Sequence, residues 1–353
     1  MIEFNINANF PVKKIELLTA LLSENVSLAG GIENENYKKY QETKKNVINF
    51  FGLNEDDYEC VWNSGATETI NEIAISGKIK DIKIHKYNHA ISSILINSLS
   101  EYDAFNSRII CPISPATGKI CEIDLDKNDI IDATQSIRYW NTPLLKKIRE
   151  DTIRIKPFCI FSSCYKFGGM RGLGFVIYKK NKLNNFNTLI KSESIISPMR
   201  GGSIALPSII HASEVLKEYK NINNFEEKHH KSHKFYDEIK LCLEKLHCEI
   251  NEKESCELEE SNYPYIIYDS CENPLFTYST ISFYLPFKER ICAKEFIKLM
   301  EDKNISIGYI TNCAANKTSI LRISWDYETI EKKDIDYLIE ALKATIYKIL
   351  KDL

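Results

Sequence analysis

The chain has 353 residues, of which 44% are hydrophobic and 27% are charged, and these values are ordinary for a globular protein. Its formal net charge of -3 provides no basic field, so we expect no nucleic-acid partner. The apolar runs are far shorter than the roughly 20 residues of a membrane span. The first residues lack the basic and apolar regions of a secretory signal. We therefore expect a cytoplasmic protein without a membrane partner.

The 11 cysteines are scattered along the chain and form no C-x-x-C pair. Zinc-ribbon and iron–sulfur spacings are therefore missing, and most thiols are expected to be reduced core residues. His229, His230 and His233 have helical spacing. A solvated helix face explains them better than a metal site, because nothing nearby implies a carboxylate and an open cleft. We predict no metal.

The first two-thirds of the chain alternates short apolar runs with helical patterns, which is typical of a mainly parallel, doubly wound sheet. A helical stretch ends at residue 51, where Gly52 stops it. Strands are predicted over 59–62, 79–84, 107–113, 129–131, 158–162 and 173–178, and helices over 67–75 and 89–99.

The pattern changes after about residue 210 to a smaller α+β unit, and we place the boundary near residue 215. The predicted elements are one or two long amphipathic helices over 209–246, strands over 265–268, 277–284 and 319–324, and helices over 293–301 and 332–350. The acidic stretch 251–261 is predicted to be a solvated loop.

The first motif with chemical potential follows the strand at 59–62. The chain passes through Ser64 and Gly65 and opens a helix at Ala66 and Thr67. Free backbone N–H groups at such a helix start, together with the Thr67 hydroxyl, can bind a phosphate. The alternative is a well-capped helix with Ser64 or Thr67 as its N-cap.

The second motif is a carboxylate at the end of an apolar strand. Asp132 ends the strand at the edge of the sheet where α/β folds bind ligands. A carboxylate there can hold a protonated ring nitrogen, and Gln135 can donate to an adjacent oxygen. The alternative is that Asp132 is the N-cap of the next helix.

The third motif is a lysine, Lys166, that an apolar strand delivers into a run with four glycines. A desolvated lysine can lose its proton and form a Schiff base. The alternative is a glycine-rich hairpin with a solvated lysine. The glycine spacing does not fit a dinucleotide site, because the strand, glycine and helix order is missing. Together the three motifs supply the parts that a pyridoxal 5'-phosphate (PLP) site requires.

The motifs resemble those of the class V aminotransferase family of fold type I PLP enzymes, and most closely those of bacterial cysteine desulfurases. The matching segments are 7–11, 64–68, 88–89, 132–136, 163–166, 199–203 and 321–324, so the resemblance spans nearly the whole chain. It implies an α/β, aspartate aminotransferase-like fold in a homodimer with its active site at the subunit interface. The large domain, 12–215, would hold a mainly parallel sheet with helices on both faces. Residues 1–11 and 216–353 would form the small α+β domain.

The resemblance also implies roles for individual residues. Lys166 would hold the PLP aldehyde as a Schiff base and move the substrate proton, Asp132 would pair with the pyridine nitrogen, and His89 would stack on the ring. Arg322 would bind the carboxylate of an amino-acid substrate. The remaining implied contacts are Ala66, Thr67, Gln135, Ser163, Tyr165 and Ser203 for the cofactor and Asn7 for the substrate.

Cys313 is the residue on which the expected reaction depends. It lies in a polar loop before the Arg322 strand, where the resembled desulfurases carry their persulfide-forming cysteine. An exposed thiol there can take sulfur from L-cysteine and leave L-alanine. The resemblance therefore implies a cysteine desulfurase, with a sulfur-acceptor protein as a further partner. The alternative is that Cys313 is one stray thiol among 11.

The chain departs from the resembled family at several positions. Ser114-Pro115-Ala116 stands where the family usually has an Asn near the phenolic oxygen, and Tyr165 replaces a His. The stretch from Cys313 to Arg322 is short, which would limit sulfur delivery to distant acceptors. Two alternatives stay open. One is another class V reaction, a transamination or a lyase reaction on a different amino acid. The other is a degenerate PLP-binding paralogue without turnover.

Overall fold

The computed structural model describes residues 2–8, 10–13, 35–75, 81–84, 106–121, 123–181, 189–190, 200–202, 205–253, 276–284, 293–310 and 320–351. The chain divides into two compact units. The small unit comprises Met1–Asn9, Pro115–Lys119 and Asn224–Leu353, and the large unit comprises Phe10–Ser114 and Ile120–Asn223. The domain boundaries predicted from the sequence, after residues 11 and 215, stay a prediction.

The described residues form ten strands and seven α-helices. The strands are β1 (Ile2–Phe4), β2 (Tyr58–Asn63), β3 (Asp81–Ile84), β4 (Asn106–Ile110), β5 (Ile130–Asp132), β6 (Cys159–Ser163), β7 (Gly174–Lys179), β8 (Thr280–Tyr284), β9 (Ile305–Ile310) and β10 (Ile320–Ser324). The helices are α1 (Glu35–Phe50), α2 (Ala66–Ile75), α3 (Lys146–Ile155), α4 (Leu206–Glu218), α5 (Phe225–Lys253), α6 (Ala293–Glu301) and α7 (Lys332–Lys351). Within the described residues, no helix combines the length and the hydropathy that crossing a membrane requires.

The large unit is built on a six-stranded sheet with the strand order β2-β7-β6-β5-β4-β3. Strands β3 to β6 run parallel, whereas β7 is antiparallel to both of its neighbours, β2 and β6. Because β2 therefore points the same way as β3 to β6, the carboxyl ends of all strands except β7 lie at one edge. The predicted, mainly parallel sheet is confirmed.

Helices cover both faces of the large sheet, as the sequence predicts. On one face, Val61 and Val176 pack in a buried cluster with Ile70 and Ile73 of α2. Successive strand residues point to opposite faces, so Trp62 lies on the other face. There its indole N–H donates to the Thr43 hydroxyl of α1 over 3.2 Å.

The small unit is built on a four-stranded sheet with the order β1-β9-β10-β8. Strand β1 is parallel to β9, and β10 is antiparallel to both β9 and β8. Helices α5, α6 and α7 contribute Ile239, Phe296 and Leu338 to the buried core, where they meet Phe4 of β1. The first residues of the chain are therefore part of this core.

The observed elements differ from the predicted ones in a few places. Strands β1 and β9 and helix α3 were not predicted. The helical region predicted over 209–246 consists of two helices, α4 and α5, and α5 continues to Lys253, so its last residues are not the loop that was predicted from residue 251. The predicted helix at 89–99 and strand at 265–268 lie outside the described residues.

Candidate active site

Three of the sequence motifs begin at the carboxyl edge of the large sheet. Asp132 ends β5 and pairs with Phe161 of β6, and Gly174 of β7 pairs with both Asn63 and Ser163. Neighbouring strands in a sheet lie about 4.8 Å apart. Segments that are far apart in the sequence therefore leave the sheet side by side.

The loop between β2 and α2 rests directly on the sheet edge. Gly65 has a φ of +135°, and its N–H donates to Asn63 Oδ1 over 3.0 Å. The Ala66 N–H donates to Ser163 Oγ over 2.8 Å. A methyl group on Gly174 would lie only 2.4 Å from the Gly65 Cα. The loop can reach this position because Gly174 has no side chain.

The first turn of α2 presents a helix N-terminus at this edge. The side chains of Asn63 and Ser163 take up the N–H groups of Gly65 and Ala66. Neither bond reaches the N–H groups of Thr67 or Glu68, which an N-cap side chain would accept, so the interpretation of Ser64 or Thr67 as the N-cap stays open. The Thr67 side chain is exposed. A helix start with an exposed hydroxyl is a suitable binding site for phosphate.

Asp132 is buried at the end of β5. Its Oδ1 accepts the N–H of Thr134 over 3.0 Å, which forms an Asx turn. The next helix is a short 3-10 turn at Ile137–Tyr139 with Ser136 as its N-cap. The alternative interpretation of Asp132 as that N-cap is therefore wrong. Gln135 follows in the same turn and is half-buried.

Lys166 ends a short 3-10 turn directly after β6 and is half-buried. Its Nζ lies 4.8 Å from the centroid of the Tyr165 ring, and the guanidinium carbon of Arg171 lies 5.1 Å from the same centroid. Burial raises the pKa of Tyr165, and the positive charge of Arg171 partly offsets this effect. The turn is tight, because a methyl group on Gly169 would lie 2.7 Å from the Cys164 Cβ.

Arg322 lies on β10 in the small unit, and its side chain is a buried cation. The residue is only 8% exposed. Its two terminal nitrogens donate to Pro115 O over 3.0 Å and to Asn5 Oδ1 over 3.2 Å, while Nε has no partner within the described part of the chain. Burial lowers the pKa of Arg322 to about 10. Such a guanidinium has unused capacity to bind a carboxylate.

Asn7 shares a partner with Arg322. Its side-chain amide donates to Pro115 O over 3.3 Å and to Thr280 Oγ1 over 2.9 Å, and its backbone N–H donates to Ser324 Oγ over 3.0 Å. The structure therefore brings the two predicted substrate residues together around one carbonyl. The contributions of Asn5 and Pro115 were not predicted, since no local motif indicates them.

An acidic pair on α2 and its basic partner were not predicted from the sequence. Glu68 accepts the Ser64 N–H over 2.7 Å and the Arg200 Nε–H over 3.1 Å. Glu72, one turn later, is only 8% exposed. Burial raises the pKa of Glu72 to about 7, and the negative charge of Glu68 adds to the shift. The available signal was two acids spaced four residues apart in a short predicted helix.

The prediction that the His-rich face of α5 is solvated is only partly correct. His230 is exposed, but His229 and His233 are half-buried. The His233 ring stacks on Tyr278 with 3.9 Å between centroids, and His229 Nε2 lies 3.3 Å from Phe276 O. These contacts explain the two histidines as packing residues.

Three predicted site residues, His89, Ser203 and Cys313, lie outside the described residues, and their roles stay predictions. Six cysteines of the described part are buried free thiols: Cys60, Cys111, Cys121, Cys159, Cys164 and Cys242. This agrees with the expectation that most cysteines are core residues.

Comparison with known proteins identifies the fold. No family model and no curated protein sequence matches the chain, but solved structures do. A NifS-like protein from Rickettsia africae ESF-5 has a TM-score of 0.71 at 18% identity, with 99% of each chain covered. A cysteine desulfurase from Thermococcus onnurineus NA1 has a TM-score of 0.73 at 15% identity, with 98% of this chain and 95% of that chain covered.

The protein has the NifS-like fold. A third match, the cysteine desulfurase CsdA from Escherichia coli, has a TM-score of 0.63 at 14% identity, with 98% of this chain and 94% of that chain covered. The NifS-like fold extends over nearly the whole chain, so the predicted fold class is confirmed. At such low identities, the likeness establishes the fold and leaves the chemistry to be argued from the residues.

The first prediction concerns the close approach of Gly174 to Gly65. Gly174→Ala is expected to lower the free energy of unfolding by about 1–3 kcal/mol, since the methyl group has no space. Urea denaturation measures the loss. Gly172→Asn is the control, because a methyl group on Gly172 would meet no heavy atom within 4 Å and Asn tolerates a positive φ. Equal stability of the wild type and Gly174→Ala would contradict the described loop position.

The second prediction concerns Glu72, whose pKa rises from 4.5 to about 7 on folding. The folded state therefore binds the proton more tightly than the unfolded state, and stability falls as the pH rises through this interval. Glu72→Gln should raise the free energy of unfolding by about 1–3 kcal/mol above pH 7 and change it little near pH 4.5. Urea denaturation at both pH values, beside exposed Glu227→Gln, checks this. A pH-independent difference would refute it.

Proposed function

We propose that the protein is a PLP-dependent cysteine desulfurase that converts L-cysteine to L-alanine and leaves the sulfur on Cys313. One observation carries the proposal. The first turn of α2, Asp132 and the segment leading to Lys166 all lie at the carboxyl edge of the large sheet. The proposal is also supported by the fold, which solved proteins named cysteine desulfurases share.

The described residues of this edge fit PLP by their chemistry. The helix start at Ala66 and Thr67 suits a phosphate, and the buried Asp132 suits a protonated ring nitrogen. The close packing of Gly65 on Gly174 holds the helix start at this edge of the sheet. When bound, PLP supplies an aldehyde that reacts with amines and a ring that withdraws electrons from the substrate.

Each residue of the large unit would then have a defined task. Lys166 would hold the aldehyde and move the substrate proton, and Asp132 would keep the ring nitrogen protonated. Ser163 Oγ accepts the Ala66 N–H, so its own proton can be donated to a phosphate oxygen. We propose Thr67, Gln135, Tyr165, His89 and Ser203 as further cofactor contacts.

The small unit would supply the residues that recognise the substrate. Arg322 has a buried guanidinium whose described partners are a carbonyl and an amide oxygen, so it would bind the carboxylate of L-cysteine. Asn7 would act beside it through their shared partner, Pro115 O. Cys313 would accept the sulfur atom as a persulfide, which a thiol reductant or a sulfur-acceptor protein removes. We further propose a homodimer with the domain division expected from the sequence.

The third prediction tests the reaction. The wild-type holoenzyme should form equal amounts of alanine and sulfide from L-cysteine in the presence of dithiothreitol. Lys166→Ala should lose the yellow colour of bound PLP and all activity. Cys313→Ala should stay yellow and form no sulfide, because the sulfur has no acceptor. Cys242→Ala, which removes a buried thiol, is the control and should stay active.

Other results of the same assay separate the alternatives. Equal activity of the wild type and Cys313→Ala would make Cys313 a bystander and favour a lyase or another reaction of the class V kind. A yellow wild type without activity on L-cysteine would contradict the desulfurase proposal. A screen of other amino acids by spectral change would then distinguish a different substrate from a site without turnover.

The fourth prediction tests Arg322. Arg322→Gln should raise the KM for L-cysteine by about tenfold to hundredfold, because a charge-assisted contact to the carboxylate is lost. Arg322→Lys keeps the charge without the planar fork, so its KM should lie between those of the wild type and Arg322→Gln. Steady-state kinetics and thermal unfolding are measured on the same samples. An unchanged KM in stable Arg322→Gln would rule out the proposed contact.

A further inference from the structure

The acidic pair of α2 and its basic partner form a cluster of three residues, Glu68, Glu72 and Arg200, which we call the first-turn cluster. The Arg200 Nε–H donates to Glu68 Oε1 over 3.1 Å, and the two side chains are 18% and 6% exposed. The other carboxylate oxygen of Glu68 accepts the Ser64 N–H. Glu68 therefore joins the loop before α2 to a segment that lies 132 residues away.

The position of Glu68 creates an electrostatic conflict. Glu68 is the third residue of α2, so its carboxylate lies in the first helical turn, where an anionic ligand would bind. Burial alone would raise the pKa of Glu68, but hydrogen bonds from Ser64 and Arg200 outweigh burial and lower it. Glu68 is therefore a carboxylate close to the proposed phosphate site, and two like charges repel each other strongly where water is scarce.

Arg200 compensates the charge of Glu68, and Glu72 adds no second negative charge while it is protonated. Arg200 supplies one positive charge to Glu68. Glu72 also faces Cys159 and Tyr178 of the sheet, whose pKa values its charge would raise further. Because burial raises the pKa of Glu72 to about 7, Glu72 is mostly uncharged below neutral pH. In this state the cluster has no net charge.

We propose that Arg200 is a positioning residue for the phosphate group. By pairing with Glu68, it neutralises the carboxylate that orients the Ser64 loop, so that the start of α2 can accept a dianion. This role rests on the proposed use of PLP. It does not depend on the reaction or on the substrate, because it concerns only the phosphate.

A double-variant cycle with PLP as the probe tests the role. The dissociation constant is measured by titrating PLP into cofactor-free protein and following its visible absorbance. Arg200→Gln should weaken binding by about tenfold to hundredfold, because Glu68 is left uncompensated. Glu68→Gln should stay within about threefold of the wild type, and Arg200→Gln with Glu68→Gln should recover to a similar level.

Two further variants complete the experiment. Arg200→Lys keeps the positive charge and should bind PLP more tightly than Arg200→Gln. Lys217→Gln is the matched control, since it breaks an exposed ion pair with Glu214 and should leave PLP binding unchanged. Urea denaturation of every variant establishes that it is folded. If Arg200→Gln does not fold, Arg200→Met takes its place and should bind PLP more weakly than both Arg200→Lys and the double variant; equal binding by the three would overturn the inference.

The outcomes separate this inference from the proposed function. A wild type that binds no PLP overturns both. If Arg200→Gln binds PLP as tightly as the wild type does, the inference is overturned and the proposed use of PLP stands. If Glu68→Gln binds as weakly as Arg200→Gln and the double variant recovers nothing, the pair merely holds the segment in place and charge compensation is refuted. Activity on L-cysteine is measured separately and changes none of these outcomes.

Discussion

The close approach of Gly65 to Gly174 is the constraint on which the candidate site depends. Strand β7 lies between β2 and β6 and runs against both, so its first residue is placed between their carboxyl ends. Any side chain there would collide with the loop that leads into α2. Because both positions are glycines, the start of α2 can rest on Ser163, whose hydroxyl oxygen accepts the Ala66 N–H beside the strand ends.

The compensation of buried charges is a second constraint on the structure. Burying an ion is costly unless a partner compensates it. Glu68 is compensated by Arg200 and by a backbone N–H, whereas Arg322 has only neutral oxygens as described partners and an unpaired Nε. The first arrangement suits a residue that organises a loop. The second leaves electrostatic stabilisation to be supplied by an anionic ligand, which is why Arg322 is the stronger candidate for substrate recognition.

The parts of the site that could be predicted from the sequence all have local signals. Thr67, Asp132 and Lys166 each follow a short apolar strand, and the polar or glycine-rich residues around them mark the strand ends. The missed pieces depend on distant partners. Strand β1 has only three residues and pairs with β9, some 300 positions later in the register Glu3 to Ser306. The Glu68–Arg200 pair is likewise invisible, because neither residue has a neighbour in sequence that indicates the other.

The order of the motifs, the strands before them and the resemblance to a PLP-dependent family could all be read from local patterns, because periodicity and turn residues act over a few positions. Which strands are neighbours, and which way β7 runs, became known from the folded arrangement alone. It also decided that Pro115 O serves both Asn7 and Arg322. The reason is physical: pairing, burial and charge compensation join residues that are distant in the chain, and their energies depend on distances that exist only after folding.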